Sequence, residues 1–218
     1  MTSVYPAASA VTFDQLLARL KSLPVPLLPP AKIIDASLSD QIASLYLHPA
    51  LEALLHLLNH DLPSAHFLVR HMQSAPAFEA MYLHGILHRI EGDFDNTRAW
   101  YYDVFDSKVF ERVWGKATHD QKTAMGKHKL AGGQKMPPQQ SAQLFIDSLE
   151  NLSKKHQGDR PPLEAESRRE FDSVLDWCIN KFGTAKHPDA SKAWLQPDQE
   201  ISQKGQDMVT GNDGIRNF

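Results

Sequence analysis

An all-α fold is expected for this 218-residue chain on three observations. Apolar residues recur at i, i+3, i+4 and i+7 in one segment after another, the spacing that lines one face of a helix. No segment shows the strict apolar–polar alternation of a half-buried strand. The sequence also pairs with itself at an offset of 32 residues, which sets Leu51, Leu54, Leu55, His56 and Leu58 on Leu83, Ile86, Leu87, His88 and Ile90. The register continues without a gap through Asp61 and Asp93, Leu62 and Phe94, Ala65 and Thr97, Leu68 and Trp100, Val69 and Tyr101. Each unit predicts a helical hairpin whose second helix is capped by Asp61 or Asp93. Two stacked hairpins bury a core that neither could bury alone.

A first amphipathic helix over 13–20 places Phe13, Leu16, Leu17 and Leu20 on one face, with Thr12 and Gln15 as its capping box. Pro24, Pro26, Pro29 and Pro30 then forbid helix, so residues 23–34 predict an extended strap. Ser37 with Asp40 opens the next helix, which Pro49 interrupts or restarts before the leucines of the first hairpin. Further helices are expected near 62–74, 77–91, 94–114 and 138–156. A long one over 162–182 begins after Pro161–Pro162 and stops at Gly183. Between Gly115 and Gln140, Gly126, Gly132, Gly133, Pro137 and Pro138 predict a long connection with a short helix near 120–130. Its five lysines read as a solvated loop rather than a basic patch. Residues 1–183 therefore form a single helical domain, two hairpins at 50–106 flanked by an N-terminal helix and two long C-terminal helices. Residues 184–218 form a polar tail, in which Trp194 points to docking.

Composition narrows the function classes. The chain is 42% hydrophobic and 22% charged, with a net charge of −3. No clustered Lys/Arg surface is evident, which argues against nucleic acid as a partner. The one cysteine, Cys178, lies in the apolar stripe Phe171, Val174, Leu175, Cys178 and reads as a core thiol, leaving no disulfide and no all-Cys zinc site. The N-terminus lacks a basic region followed by an apolar core, and no run approaches about 18 apolar residues. Neither secretion nor a membrane partner is expected, and the location expected is cytoplasmic or nuclear. There is no phosphate-binding loop, dinucleotide fingerprint or nucleophile elbow.

Residues 78–104, FEAMYLHGILHRIEGDFDNTRAWYYDV, resemble a tetratricopeptide unit. Small Gly85 stands where the helices of such a hairpin touch, Gly92–Asp93 form the turn, and aromatic Tyr101 lies late in the second helix. With the weaker first unit, the resemblance covers about 60 residues. The chain departs from the pattern at Thr97, where alanine is usual, and at His84 and His88, where apolar or aromatic residues are usual. The block HGILHRIEGDFDN also resembles that of an uncharacterised family of fungal and bacterial helical proteins, which implies a shared site without an activity.

Histidine is the compositional anomaly, because seven of the eleven fall between residues 48 and 88. With Leu83 at 0° on a wheel of 100° per residue, Glu91, His84 and His88 fall at about 80°, 100° and 140°. Two imidazoles and a carboxylate on one face suit zinc or non-haem iron, and His60 or His66 could complete the shell. Simple packing would favour leucine or tyrosine at positions 84 and 88. The plainer alternative is histidines satisfied by ordinary hydrogen bonds. His56 and His60, at about 200° and 240° from Leu54, are expected to be solvated. Arg89 reads as a solvated helix end that favours the dipole, or as a catalytic or ligand-binding residue. Glu91 opposes the dipole there, so a partner such as His84, His88, Arg98 or a ligand is expected. Asp61 and Asp93 read first as N-caps. Tyr102 lies off the apolar face and can line a groove.

Two functions from different classes follow. The leading one is a helical-repeat binding module that takes a protein segment or small ligand in a groove, with His66, Arg89 and Tyr102 as binding residues. The alternative is a metal-dependent enzyme or metal-binding protein with His84, His88 and His60 as ligands to a divalent ion and Glu91, Asp61 and Arg89 as catalytic residues. A metal-free acid/base site, with Glu91 or Asp61 orienting His88 or His66, is a third arrangement.

Overall fold

The computed structural model describes residues 11–29, 32–115 and 136–195. Among them it forms the helices α1 (Phe13–Ser22), α2 (Ala36–Ser44), α3 (Pro49–Leu58), α4 (Leu62–Val69), α5 (Phe78–Glu91), α6 (Phe94–Val104), α7 (Lys108–Trp114), α8 (Pro138–Lys155) and α9 (Arg160–Phe182). A 3₁₀ turn at Ala190–Ala193 follows, and no strand occurs among the described residues. The all-α expectation holds. The helix expected near 120–130, the lysines of that connection and residues 196–218 lie outside the described residues.

Helix starts follow their capping chemistry. Thr12 and Gln15 form the capping box of α1. Asp35, rather than Ser37, caps α2, accepting from the Ser37 amide at 2.9 Å. Pro49 restarts the chain as the first residue of α3, where its missing N–H costs nothing. Two boundaries differ from expectation. The helix expected over 62–74 ends at Val69, and that expected over 94–114 is two helices. Ser107 makes the second break, because its hydroxyl accepts from the Phe110 amide and caps α7.

The 32-residue offset reappears as backbone geometry at the α3–α4 and α5–α6 turns. His60 and Gly92 occupy equivalent positions, and both are left-handed, at φ 56° and 86°. The His60 and Gly92 amides donate to the Leu57 and Arg89 carbonyls, and the Asp61 and Asp93 amides to the His56 and His88 carbonyls. This is the paired bonding of a Schellman terminus. Asp61 and Asp93 then cap the next helices by accepting from the Ser64 and Asn96 amides. One turn is thus built twice, once with glycine and once with histidine.

α3 packs on α4 and α5, and α5 on α6. α9 crosses onto α3 and α7, and α8 lies against α6, α7 and α9. Gly85 sets the α5–α6 approach: a Cβ there would stand 2.7 Å from Tyr101 Cδ1 and 3.0 Å from Trp100 Cβ. Of the inner faces that the repeat predicts, Ala65, Leu68, Val69 and Met72 with Thr97, Trp100, Tyr101 and Val104, all are buried except Trp100, which is half-buried. The N-terminal strap is anchored at both ends. Asn59 exchanges hydrogen bonds with Asp35 through its side chain, and the Pro26 carbonyl accepts from Ser167. The chain after α9 also docks: the Leu195 amide donates to the His71 carbonyl at 2.9 Å, and Trp194 stacks on the His71 ring at 4.4 Å.

Candidate functional site

α4, α5 and α6 bring three imidazoles and an indole together. His66 of α4 faces His84 of α5, with their Nε2 atoms 3.2 Å apart. His88, one turn on, stacks on His84 with centroids 4.9 Å apart and planes 15° from parallel, while Trp100 of α6 stacks on His84 at 4.4 Å. His84 is buried, and His66 and His88 are partly exposed. Burial pushes the His84 imidazole down to about 3, with His88 and His66 adding to the effect. Burial lowers His66 as well, against the pull of the Glu91 carboxylate. Both rings are therefore neutral near pH 7, and the 3.2 Å contact is a hydrogen bond with one donor and one acceptor.

The donor can be assigned. His84 Nδ1 is buried and makes no hydrogen bond among the described residues. If His84 donates from Nε2, its Nδ1 is a bare lone pair; if His66 donates, an N–H is buried without an acceptor. The first arrangement costs less. His88 is oriented differently, its Nδ1–H donating to Glu91 Oε2 at 3.1 Å. That bond orients the ring and turns Nε2 away from Glu91. Glu91, at the unfavourable end of α5, thus has the partner its position called for.

The ligand set expected for zinc or iron does not assemble. Imidazoles at i and i+4 can reach one point only if their rings turn toward each other, whereas the His84 and His88 rings stack, His84 Nε2 meeting His66 and His88 Nδ1 meeting Glu91. Among the described residues, no group of three or more His, Cys, Asp or Glu side chains is placed to hold a metal ion. His60 is not a fourth ligand. Its left-handed backbone turns it toward the Pro24 carbonyl of the strap, and burial lowers its pKa.

Three further expectations are corrected. Arg89 is neither solvated nor at the histidines; it is wholly buried and paired with Glu170 of α9. Tyr82 and Tyr101 donate to Glu170 Oε1 at 2.6 and 2.5 Å, Trp114 donates to the Tyr82 hydroxyl, and Ser167 accepts from Arg89. Burial and the adjoining Glu170 carboxylate raise both tyrosines. Asp61 is not free for catalysis, because it accepts from the Ser64 amide, the Ser39 hydroxyl at 2.6 Å and His56 Nδ1 at 3.0 Å. Those hydrogen bonds outweigh the effect of burial and hold its pKa below the usual range. His56, expected in solvent, is buried in that contact. Tyr102 is exposed and lines a groove of about 550 Å³ with Arg98, Phe105, Ala142, Gln143 and Ile146. It stands roughly 200° around α6 from Trp100, so it does not share the histidine site.

Glu170 went unread in the sequence, although it lies four residues before Val174 and borders the apolar stripe of α9. A carboxylate there implies a buried cation, and Arg89 is that cation. Compared with known proteins, the chain matches no family model, no curated protein and no solved structure. No helix among the described residues is long and apolar enough to cross a membrane.

Proposed function

We propose that this protein is a helical-repeat binding module, tetratricopeptide-like in its two central hairpins, whose recognition face is the histidine cluster of α4, α5 and α6. One observation carries the reading. His66, His84 and His88 place imidazoles between packed helices, where leucine would be cheaper, and leave them oriented but only partly committed, with the exposed Glu91 holding His88. Neutral imidazoles offer both a donor and an acceptor to a protein segment or small ligand, and Trp100 supplies a flat apolar wall. The repeated turn at His60 and Gly92 supports the repeat assignment.

Affinity capture with the wild-type protein beside His66→Ala and His88→Ala tests this reading, with bound material quantified by mass spectrometry. A partner retained by the wild type and lost from both variants is the expected result. Equal recovery on all three would overturn it.

The metal-dependent reading keeps one observation in its favour. The 3.2 Å between the His66 and His84 Nε2 atoms is near the roughly 3.3 Å separating two nitrogens on one tetrahedral ion with bonds of about 2.0–2.1 Å. Such an ion would require His84 to move its proton to the buried Nδ1 and His88 to unstack. Elemental analysis of untagged protein purified without chelator separates the readings. Metal at background is expected; near-stoichiometric zinc, iron, manganese or copper that disappears in His66→Ala and His84→Ala would favour the ion.

A further inference from the structure

Beyond α9 the chain turns back across the body as a strap, residues 183–195, without regular structure apart from the 3₁₀ turn at Ala190–Ala193. Its backbone is held at two points: the His187 amide donates to the Tyr46 carbonyl at 2.5 Å, and the Leu195 amide to the His71 carbonyl at 2.9 Å. Side chains anchor it between. Lys186 lies over the Tyr46 ring, His187 packs on His48, and Trp194 stacks on His71. His48 itself stacks flat on Phe182 at 3.7 Å. Main-chain bonds for affinity and alternate side chains for selectivity are how extended peptides are held by a receptor.

Three observations set this contact apart from settled packing. No residue of 183–195 is fully buried, so the segment belongs to the weakly held part of the molecule. Trp194 Nε1 and His187 Nε2 are buried without a hydrogen-bond partner among the described residues, which weakens the strap's hold. Ala193 and Leu195 border a cavity of about 200 Å³, walled also by His48, Met72, Glu79 and Phe182. The ring row from Trp194 through His71 continues to Phe67, which is 50% exposed.

We propose that Tyr46, His48, Phe67, His71 and this cavity form a peptide-docking site that the chain's own strap occupies in cis. Its partner in trans is an extended segment carrying an aromatic–aliphatic pair, the chemistry of Trp194–Leu195. The strap buries the Trp194 and His187 nitrogens without partners, so a segment that fills the cavity and pairs its own polar groups displaces it. The site is separate from the histidine cluster, so it stands or falls independently of that cluster's ligand.

The test uses the full chain and a fluorescein-labelled peptide of residues 184–195. Removing both anchors, with Trp194→Ala and Leu195→Ala together, frees the site, and the variant is expected to bind the peptide at least about tenfold more tightly than the wild type, whose tethered strap competes. Adding His71→Ala is expected to abolish that gain, as is replacing the tryptophan of the peptide. Hydrogen exchange on the wild type gives a second reading: the His187 and Leu195 amides are expected to exchange well before those of α9. The proposal is overturned by no peptide binding to a double variant whose thermal unfolding matches the wild type, by a Leu195 amide that opens only with global unfolding, or by dimerisation of the wild type through exchanged straps.

Discussion

Arg89 and Glu170 place opposite charges in the core with no exposed surface on either side chain. Tyr82 and Tyr101 add hydrogen bonds to Glu170 and Ser167 adds one to Arg89, whose Nε has no partner among the described residues, and the guanidinium lies over the Phe145 ring at 4.9 Å. A buried pair of this kind adds little over a well-packed apolar one, but removing one member strands the other. Arg89→Met and Glu170→Leu are each expected to cost about 3–5 kcal/mol. The double variant is expected to lose clearly less than the sum. Urea denaturation of the four proteins measures this, and additive costs would show that the two groups are not coupled. The same positions explain a misreading: a basic residue in the last turn of a helix suits the dipole, and only the crossing of α9 turns Arg89 into a core residue.

At the scale of elements, the α5–α6 pair depends on two glycines for different reasons. At Gly85 the constraint is contact, since the Tyr101 ring that a Cβ would meet is pinned by its bond to Glu170 and cannot give way. Gly85→Ala is expected to destabilise by about 2–3 kcal/mol through overpacking. At Gly92 the constraint is mainly conformational, with φ at 86° and Pro29 Cγ 3.0 Å from where a Cβ would stand. Gly92→Ala is expected to cost about 1–2 kcal/mol. Thermal denaturation ranks the two, and the reverse order would mean that the helices separate more readily than the turn deforms. The equivalent turn in α3–α4 uses His60 at φ 56°, a residue the repeat alignment places opposite glycine. The offset therefore told more about the turn than residue identity did.

For the whole molecule, the buried imidazoles couple stability to pH. His84 is held down to about 3 and His48 to about 4, and His66 and His60 are also lowered, burial being the largest cause in each. The unfolded chain binds protons at these groups near pH 6.5, and the folded chain does so only lower. Stability from this source is full above about pH 6.5 and falls as pH drops through 6.5 toward the folded values. His84, the most deeply buried of them, contributes a slope of at most about 1.4 kcal/mol per pH unit inside that window. His84→Gln, which keeps a group able to donate to His66, is expected to reduce the slope between pH 6 and 5 by about that amount. Denaturant midpoints at pH 7, 6 and 5 measure it, and an unchanged slope would mean that His84 titrates normally.

Helical periodicity, cap residues and the 32-residue offset by themselves determined the all-α class, the two central hairpins and the caps at Asp61 and Asp93. These are local properties, written in bonds between residues three to six apart. That Glu91 needs a partner was legible for the same reason, with His88 one of the candidates beside His84, Arg98 and a ligand. Tertiary structure alone decided which polar side chains are buried and with what. It took the packing of α4 on α5 to set His66 against His84, and of α9 against the rest to give Arg89 its carboxylate. Whether two imidazoles converge or stack depends on side-chain rotations that neighbouring helices fix. A helical wheel shows which residues share a face; the facing helix decides what that face can do.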